Sequence, residues 1–264
     1  MLISALELQA TIADALSSEL NATPKPGLVD RHNNGAHRDM DYALMKKSIE
    51  TISPFLMQMA VKSQQELSVP LLQQIGIEAE KAMMVATGGV NTHKGAIFAI
   101  GLAVSSWSYL SYRGKTFTTK DWSETIATLA CQIKPQQSTN GTHAVKRYRL
   151  HGALDLAQHG YDIIFDDVLT WFVEQKKTEK DKNLLYIKTL LYIVSKVDDT
   201  NLYHRGGFDV AQQVKQKAGQ LCNCCTLEEL ELFDKQCISL NVSPGGSADL
   251  LALTILIDKL NNVI

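Results

Sequence analysis

The sequence predicts an all-α protein, a single compact multi-helix domain over residues 1–264 with two or more buried central helices. Apolar residues recur at helical spacing along most of the chain, and the period-2 alternation of half-buried strands is hard to find. Residues 92–112 and 247–261 are almost entirely apolar or small, which is typical of helices buried on all sides. No linker rich in Pro, Gly and Ser divides the sequence, so we expect one cooperative domain.

The individual helices follow from this periodicity and from start and stop signals. Thr118 with Asp121, and Thr226 with Glu229, have the spacing of capping boxes that open helices. Pro54 should kink or break the second helix. The predicted helices span residues 4–20, 40–61, 69–86, 92–112, 118 to near Pro135, 142–159, 162–177, 179–197, 207–221, 226–239 and 247–261.

Composition narrows the classes of function. The 264 residues include 26 Lys and Arg against 28 Asp and Glu, and no long basic run occurs, so nucleic acid is not the expected partner. Glu7 and Asp14 interrupt the apolar N-terminal pattern, and no basic segment precedes it. We therefore expect neither a signal peptide nor a membrane span. Five cysteines, an odd number, are typical of reduced thiols and indicate a cytoplasmic protein.

The first of four polar segments is residues 23–42, TPKPGLVDRHNNGAHRDMDY. Long polar loops in compact domains are disproportionately functional. Lys25 lies between two prolines that fix φ, so the entry to the loop is stiff. Carboxylates could bind a hard cation while basic groups face an anion, as in nucleotide sites; the alternative is a solvated helix–helix loop. The candidate residues are Lys25, Asp30, Arg31, Asn34, His37, Asp39 and Asp41.

The second segment, TGGVNTHKG over residues 87–95, opens the first apolar helix. Free backbone N–H groups and the positive end of the helix dipole favour phosphate there, and Asn91, His93 and Lys94 are the candidate side chains. Alternatively Asn91 or Thr92 is only an N-cap and Lys94 reaches water. Because the rest of the helix is apolar, we expect an anionic partner for Lys94.

The third segment, DDTNLYHRGG over residues 198–207, places Asp198 and Asp199 before His204 and Arg205. Paired acids suit a divalent metal or a general base, and an arginine suits bidentate phosphate recognition. A capped helix end with a surface salt bridge is an equally good explanation of this segment alone.

The fourth segment is SPGGSADLL, residues 243–251. Gly245 and Gly246 predict a tight turn whose amides point at one spot, and Ser247 is a plausible N-cap for the second apolar helix. Asp249 falls in the first helical turn, where a carboxylate suits the dipole but could equally bind a metal.

In this order and spacing, the segments TPKPGLVDRHNNGAHRDMD, GGVNTHKGAIFAIGL, DDTNLYHRGG and SPGGSADLLA resemble the triphosphoribosyl-dephospho-CoA synthases. The resemblance implies an all-helical fold and a transferase that makes the prosthetic-group precursor of citrate lyase or malonate decarboxylase. In that reaction the ribose 2′-hydroxyl of 3′-dephospho-CoA attacks C1′ of ATP, and adenine leaves. The implied substrates are ATP and dephospho-CoA, and the implied cofactor is Mg²⁺. A downstream carrier-protein transferase and a second copy of the chain are the candidate protein partners.

Such a reaction passes through an oxocarbenium-like state, and it needs a carboxylate to accept the hydroxyl proton and a donor near the leaving base. The expected catalytic groups are Asp39, Asp41, Asp199 and His93. The expected substrate and phosphate ligands are Lys25, Arg31, Asn34, His37, Asn91, Lys94, His204, Arg205, Gly245, Gly246 and Ser247. The expected metal ligands are Asp30, Asp39, Asp198, Asp199 and Asp249. Alanine at Asp199 or Lys94 should lower turnover by ~10²-fold or more.

One stretch departs from the family pattern. Where these enzymes usually show G-A-R-G-E-A followed by G-F-P, this chain reads GALDLAQHGYD from Gly152. Leu154 and Leu156 stand where the Arg and the Glu are expected, and Asp155 lies roughly 100° away around the helix. This departure favours an alternative, an ATP- or CoA-binding relative with reduced activity. A second alternative is a metal-dependent nucleotide or ADP-ribose-type hydrolase, in which water replaces the acceptor hydroxyl.

Overall fold

The computed structural model describes residues 3–114, 116–134 and 140–262, and these ranges contain twelve α-helices, one π-helix and no β-strand. The all-α prediction is therefore confirmed. The π-helix spans Ile163–Val168. The α-helices are α1 Ala5–Asn21, α2 Tyr42–Ser63, α3 Val69–Ala86, α4 Lys94–Tyr112, α5 Thr119–Ala130, α6 Asn140–Tyr148, α7 Ala153–Gln158, α8 Leu169–Thr178, α9 Lys182–Lys196, α10 Thr200–Leu221, α11 Leu227–Ser239 and α12 Gly245–Asn261.

Helices α4 and α12 form the centre of the molecule. α4 packs against α2, α3, α5 and α12, and α12 also packs against α1, α9 and α10. Most side chains from Ala96 to Ser108 are buried, as are nearly all of those from Ser247 to Ile257. Because every side of these two helices is covered by other helices, their apolar composition is accounted for, and the predicted pair of buried central helices is confirmed.

Helix α1 places a charged side chain in this interior. Its buried stripe includes Leu8, Ile12 and Leu16, spaced by whole turns, and continues to Glu19 in the last turn. Glu19 is only 4% exposed. A buried carboxylate at the end of an otherwise apolar stripe requires a partner, and this partner comes from the loop that follows α1.

Two predicted helices differ from expectation. Helix α2 continues through Pro54, so of the predicted kink or break, the break does not occur. Because proline has no N–H, Pro54 cannot donate to the carbonyl of Glu50 one turn earlier. Both residues are exposed, so water can satisfy that carbonyl. The predicted helix 142–159 is two helices, α6 and α7, because Arg149 adopts a left-handed conformation with φ of 57° between them.

The third polar segment is also more helical than predicted. Helix α10 begins at Thr200, with Asp199 as its N-cap, and not at residue 207. Gly207 interrupts the helix with φ of 75° and ψ of −174°, which produces a kink. The predicted end of the fifth helix near Pro135 lies outside the described residues, and α5 ends at Ala130. None of the helices in the described ranges combines the length and apolar composition that crossing a membrane requires.

Candidate active site

The second and fourth polar segments meet where α4 begins. The carboxylate of Asp249 lies against Gly95, so closely that a Cβ atom at position 95 would collide with Oδ2. The backbone N–H of Ala96 donates to the same carboxylate. The absence of a side chain at Gly95 therefore allows an acid from α12 to occupy the positive end of α4.

The third and fourth segments meet where α12 begins. Oδ2 of Asp199 accepts hydrogen bonds from the N–H of Ser247 at 2.7 Å and from its hydroxyl at 2.9 Å. Oδ1 accepts the N–H of Asn201 at 2.9 Å. Burial raises the pKa of Asp199, and these hydrogen bonds oppose the rise. Ser247 lies inside the first turn and donates to Asp199, so its predicted role as the N-cap is wrong. Gly245 opens the helix, and Gly246 follows it against the Asp199 carboxylate.

The first segment contributes a buried ion pair. Lys25 is 1% exposed, and its ammonium contacts the carboxylate of Glu19 from α1. Two opposite charges removed from water are stable only when they are paired in this way. Lys25 was predicted to hold a phosphate, and the structure gives its ammonium a protein carboxylate as partner instead.

Asp249 is the most perturbed acid among these residues. Burial raises its pKa, the neighbouring carboxylates of Glu19 and Asp199 raise it further, and the N–H of Ala96 only partly opposes them. Although it lies deep among the helices, Asp249 is only half-buried and keeps accessible surface. A deep carboxylate with accessible surface and a raised pKa is typical of a functional site.

His93 stands at the N-cap position of α4 and is 3% exposed. Burial and the charge of Lys25 lower its pKa to about 3, so the ring is neutral. Its Nδ1 lies 2.7 Å from the hydroxyl of Ser48, which accepts a hydrogen bond from Thr92 at 2.7 Å. The Ser48 hydroxyl can donate its own proton to Nδ1, and in that tautomer the ring proton lies on Nε2. That buried Nε2 has no hydrogen-bond partner among the described residues.

At the exposed end of the site, the first, third and fourth segments are joined through His37. Arg205 donates to the carbonyl of Ala36 at 2.8 Å, and its second nitrogen lies 3.4 Å from Nδ1 of His37. Nε2 of His37 lies 2.8 Å from the hydroxyl of Ser243. Burial and the charge of Arg205 lower the pKa of His37, and Asp39 opposes them. Asp39 is exposed, with its carboxylate 3.8 Å from His37.

Two predicted acids of the first segment have backbone partners. The carboxylate of Asp30 accepts N–H groups from Lys25 at 2.8 Å, His32 at 2.7 Å and Asn33 at 3.1 Å, and so shapes the loop. Asp41 caps α2 by accepting a backbone N–H at 2.8 Å. Both carboxylates act in local structure, whereas the exposed Asp39 lies next to His37.

Other predicted residues also have protein partners. Asp198 accepts a hydrogen bond from Lys215 at 2.7 Å. The ammonium of Lys94 lies 2.9 Å from Glu80 on α3, so its expected anionic partner is a protein carboxylate. Across the described ranges, no three His, Cys, Asp or Glu side chains are grouped as metal ligands.

The remaining predicted residues lie at the surface. Arg31 and Asn91 make local contacts, the first to Asn21 at 3.1 Å and the second to the N–H of Lys94 at 3.2 Å. Asn34 and His204 are exposed. The structure thus brings Lys25, His93, Asp199, Ser247 and Asp249 together in the interior, with His37, Asp39 and Arg205 nearer the surface.

Sequence reasoning missed four buried polar residues. Glu19 continues the helical stripe of α1, so periodicity could have found it, and Ser48 precedes Ile49 on the buried face of α2. Asp234 accepts hydrogen bonds from the N–H of Gly27 at 2.9 Å and from Asn33 at 2.8 Å. Neither Asp234 nor the fourth residue, Tyr161, is marked by any local pattern.

The stretch that departs from the family pattern lies on α7. Leu154 and Leu156 are half-buried, and Leu156 packs against the core. The carboxylate of Asp155 lies 2.6 Å from Nδ1 of the exposed His151. Asp155 is therefore paired at the surface of the helix.

Comparison with known proteins decides the family. Residues 5–264 match the model of the ATP:dephospho-CoA triphosphoribosyl transferases. The chain belongs to this family. It is 38% identical to the 2-(5''-triphosphoribosyl)-3'-dephosphocoenzyme-A synthase of Pectobacterium atrosepticum, over 96% of this chain and 89% of that protein. It is 35% identical to the synthase of the same name from Klebsiella pneumoniae, over 96% of this chain and 90% of that protein. The family resemblance inferred from the four segments is confirmed.

A solved structure supports the fold alone. A crystal structure from Archaeoglobus fulgidus, described as a candidate triphosphoribosyl-dephospho-CoA synthase, matches with a TM-score of 0.50 at 16% identity. The match covers 79% of this chain and 94% of that one. At this level of identity, the match bears on the fold of the chain and on no residue of the site.

Proposed function

We propose that this protein transfers the triphosphoribosyl group of ATP to the ribose 2′-hydroxyl of 3′-dephospho-CoA. The carrying observation is the match to the transferase family over residues 5–264. In the reaction, the bond between the acceptor 2′-oxygen and C1′ of ATP forms while the bond from C1′ to adenine N9 breaks. The hydroxyl proton passes to a carboxylate and from there to solvent, and adenine takes up one proton from solvent as it leaves, so no net proton is released.

Asp249 is the acid that best fits the proton acceptor. A general base is most effective when its pKa approaches the working pH, and burial together with Glu19 and Asp199 raises the pKa of Asp249 well above its ordinary value. Asp199 already accepts hydrogen bonds from Ser247 and Asn201, and Asp39 stands at the surface. Asp249 also carries negative charge that would stabilise an oxocarbenium-like ribose.

His93 fits the donor to the leaving base. Its neutral ring carries a proton on the unpartnered Nε2, and such an N–H can donate to an adenine nitrogen as negative charge develops there. The hydroxyl of Ser48 fixes the ring through Nδ1. His93 therefore acts as an oriented, uncharged donor in this proposal.

The triphosphate fits the exposed end of the site, where Arg205 and His37 lie next to each other. Lys94 stands at the start of α4 and could exchange Glu80 for a phosphate oxygen. Mg²⁺ in nucleotide sites is usually held by one or two carboxylates together with the phosphates, and the exposed Asp39 is an available acid of that kind. A Mg²⁺ ion bound there would neutralise part of the triphosphate charge.

The decisive experiment is incubation with ATP, Mg²⁺ and dephospho-CoA, followed by mass spectrometry for adenine and for a triphosphoribosyl adduct of dephospho-CoA. We expect both products in equal amounts, and no adenine when dephospho-CoA is omitted. Adenine release without the acceptor would replace the proposal with the hydrolase alternative. ATP binding with no adenine under either condition would favour the binding relative suggested by Leu154 and Leu156.

A further inference from the structure

Tyr161 has an unusual backbone and an unusual position. It lies between α7 and the π-helix, with φ of 54°, in the left-handed region that non-glycine residues seldom occupy. Its N–H donates to Leu156 at 2.8 Å and closes the C-terminus of α7. Strained residues and π-helices both occur often at functional sites. The backbone conformation at this position directs the side chain of Tyr161 toward the interior.

The hydroxyl of that side chain has no internal partner. Tyr161 is 1% exposed, and its oxygen is buried without a hydrogen bond to any of the described residues. A buried hydroxyl without a partner lowers stability, and phenylalanine would fill the same space without that cost. The unused hydroxyl therefore points to a partner that arrives with the substrate.

The surroundings select the chemistry of that partner. Burial, and then the charge of Asp249, raise the pKa of Tyr161, so the phenol keeps its proton. The phenol thus lies within electrostatic range of a carboxylate; the phenol offers one donor, and the carboxylate offers several acceptor positions. A phosphate would be repelled by Asp249, whereas a sugar hydroxyl can accept from the phenol and donate to the carboxylate.

We propose that Tyr161 donates a hydrogen bond to the 2′-hydroxyl oxygen of the ATP ribose, while that hydroxyl donates to Asp249. The inference rests on the proposed function, because a carboxylate that acts at C1′ lies within reach of the oxygen on the adjacent carbon. Hydrogen bonds to a sugar 2-hydroxyl strengthen as the ring becomes oxocarbenium-like. Tyr161 is thus a determinant of specificity for ribose over deoxyribose.

The test compares Tyr161→Phe with the wild-type protein on ATP and on 2′-deoxy-ATP. Calorimetry should show that the variant binds ATP about 10-fold more weakly, as expected for one lost hydrogen bond, and binds 2′-deoxy-ATP as the wild type does. The wild type itself should prefer ATP to 2′-deoxy-ATP by at least this factor, because the deoxy sugar also loses the hydrogen bond to Asp249. This last measurement needs no variant. An equal loss of affinity for both nucleotides in Tyr161→Phe, or no loss for either, would overturn the inference.

Tyr192→Phe is the matched control. The hydroxyl of Tyr192 donates to Asp167 at 2.7 Å, so its removal should lower the melting temperature and leave nucleotide affinity unchanged. Tyr161→Phe should leave the melting temperature of the free protein unchanged or raise it. Adenine release by the wild type separately tests the proposed function. If none occurs, that function fails, while the two affinities still decide the role of Tyr161.

Discussion

The N-termini of α4 and α12 are alike, because at each one a carboxylate from another part of the chain lies against a glycine. At α12, Asp199 accepts hydrogen bonds from both donors of Ser247 and from Asn201. At α4, Asp249 keeps accessible surface and lies near other acids that raise its pKa. At the start of α12 the carboxylate of Asp199 is satisfied by its hydrogen bonds, whereas at the start of α4 the carboxylate of Asp249 is poorly neutralised.

This difference shows that a glycine-rich helix start with nearby acids does not by itself identify a catalytic group. The distinguishing property is whether the surrounding donors satisfy the carboxylate. A satisfied acid joins two segments, whereas an unsatisfied acid with accessible surface can act on a ligand.

Exchanging each acid for its amide should separate the two roles most strongly. Asp249→Asn should lower turnover by about 10³-fold, because an amide cannot accept the hydroxyl proton, and should not lower the melting temperature. Asp199→Asn should lower the melting temperature, since its NH₂ group would face the N–H groups of either Asn201 or Ser247. Adenine release and thermal denaturation measure both effects. Equal destabilisation by the two variants would contradict the comparison.

Adding a methyl group at each glycine should give the next largest effect. Gly95→Ala places Cβ on the Asp249 carboxylate, so we expect turnover to fall by about 10²-fold as that group is displaced. Gly246→Ala is the control, because its Cβ would lie 3.3 Å from Asp199 and needs only a small adjustment. Comparable turnover in the two alanine variants would show that the position of Asp249 is unimportant.

The raised pKa of Asp249 also predicts a pH dependence of stability. At pH values between the ordinary pKa of 3.8 and the raised pKa of Asp249 in the native protein, the native protein binds more protons at this group than the unfolded chain does. The contribution of Asp249 to stability therefore falls as pH rises through that window. Urea denaturation should show the stability of Asp249→Asn relative to wild type increasing from pH 4 upward. A difference that is constant with pH would be inconsistent with the raised pKa.

The smallest effect on stability is expected at the first residue of α4. Lys94 and Glu80 are each about one-third exposed, so Lys94→Met should change the free energy of unfolding by less than about 1 kcal/mol. Lys25→Met is the contrasting variant, because it leaves the buried Glu19 unpaired and should cost about 3 kcal/mol or more. Chemical denaturation measures both, and similar losses would contradict the difference in burial.

The fold and the four site segments were predictable from periodicity and composition, but the pairing between segments was not. The apolar composition of α4 and α12 indicated their burial, and Glu19 could have been placed by the stripe of α1. The sequence does not reveal the main difference between Asp249 and Asp199, because Ser247 donates to Asp199 from another helix, and the acids that raise the pKa of Asp249 also lie elsewhere in the chain. Lys25 was expected to hold a phosphate, and only the tertiary structure places it beside Glu19.

The hydrogen bonds of the first loop have a consequence for folding. Thr23 is held by Asn183, Ala36 by Arg205, and Gly27 by Asp234, so each contact spans more than half of the chain. Closing such long stretches is slow because chain entropy is lost before the contacts compensate. The loop that leaves the ribosome early must therefore wait for α9, α10 and α11 to be synthesised before it takes its native shape.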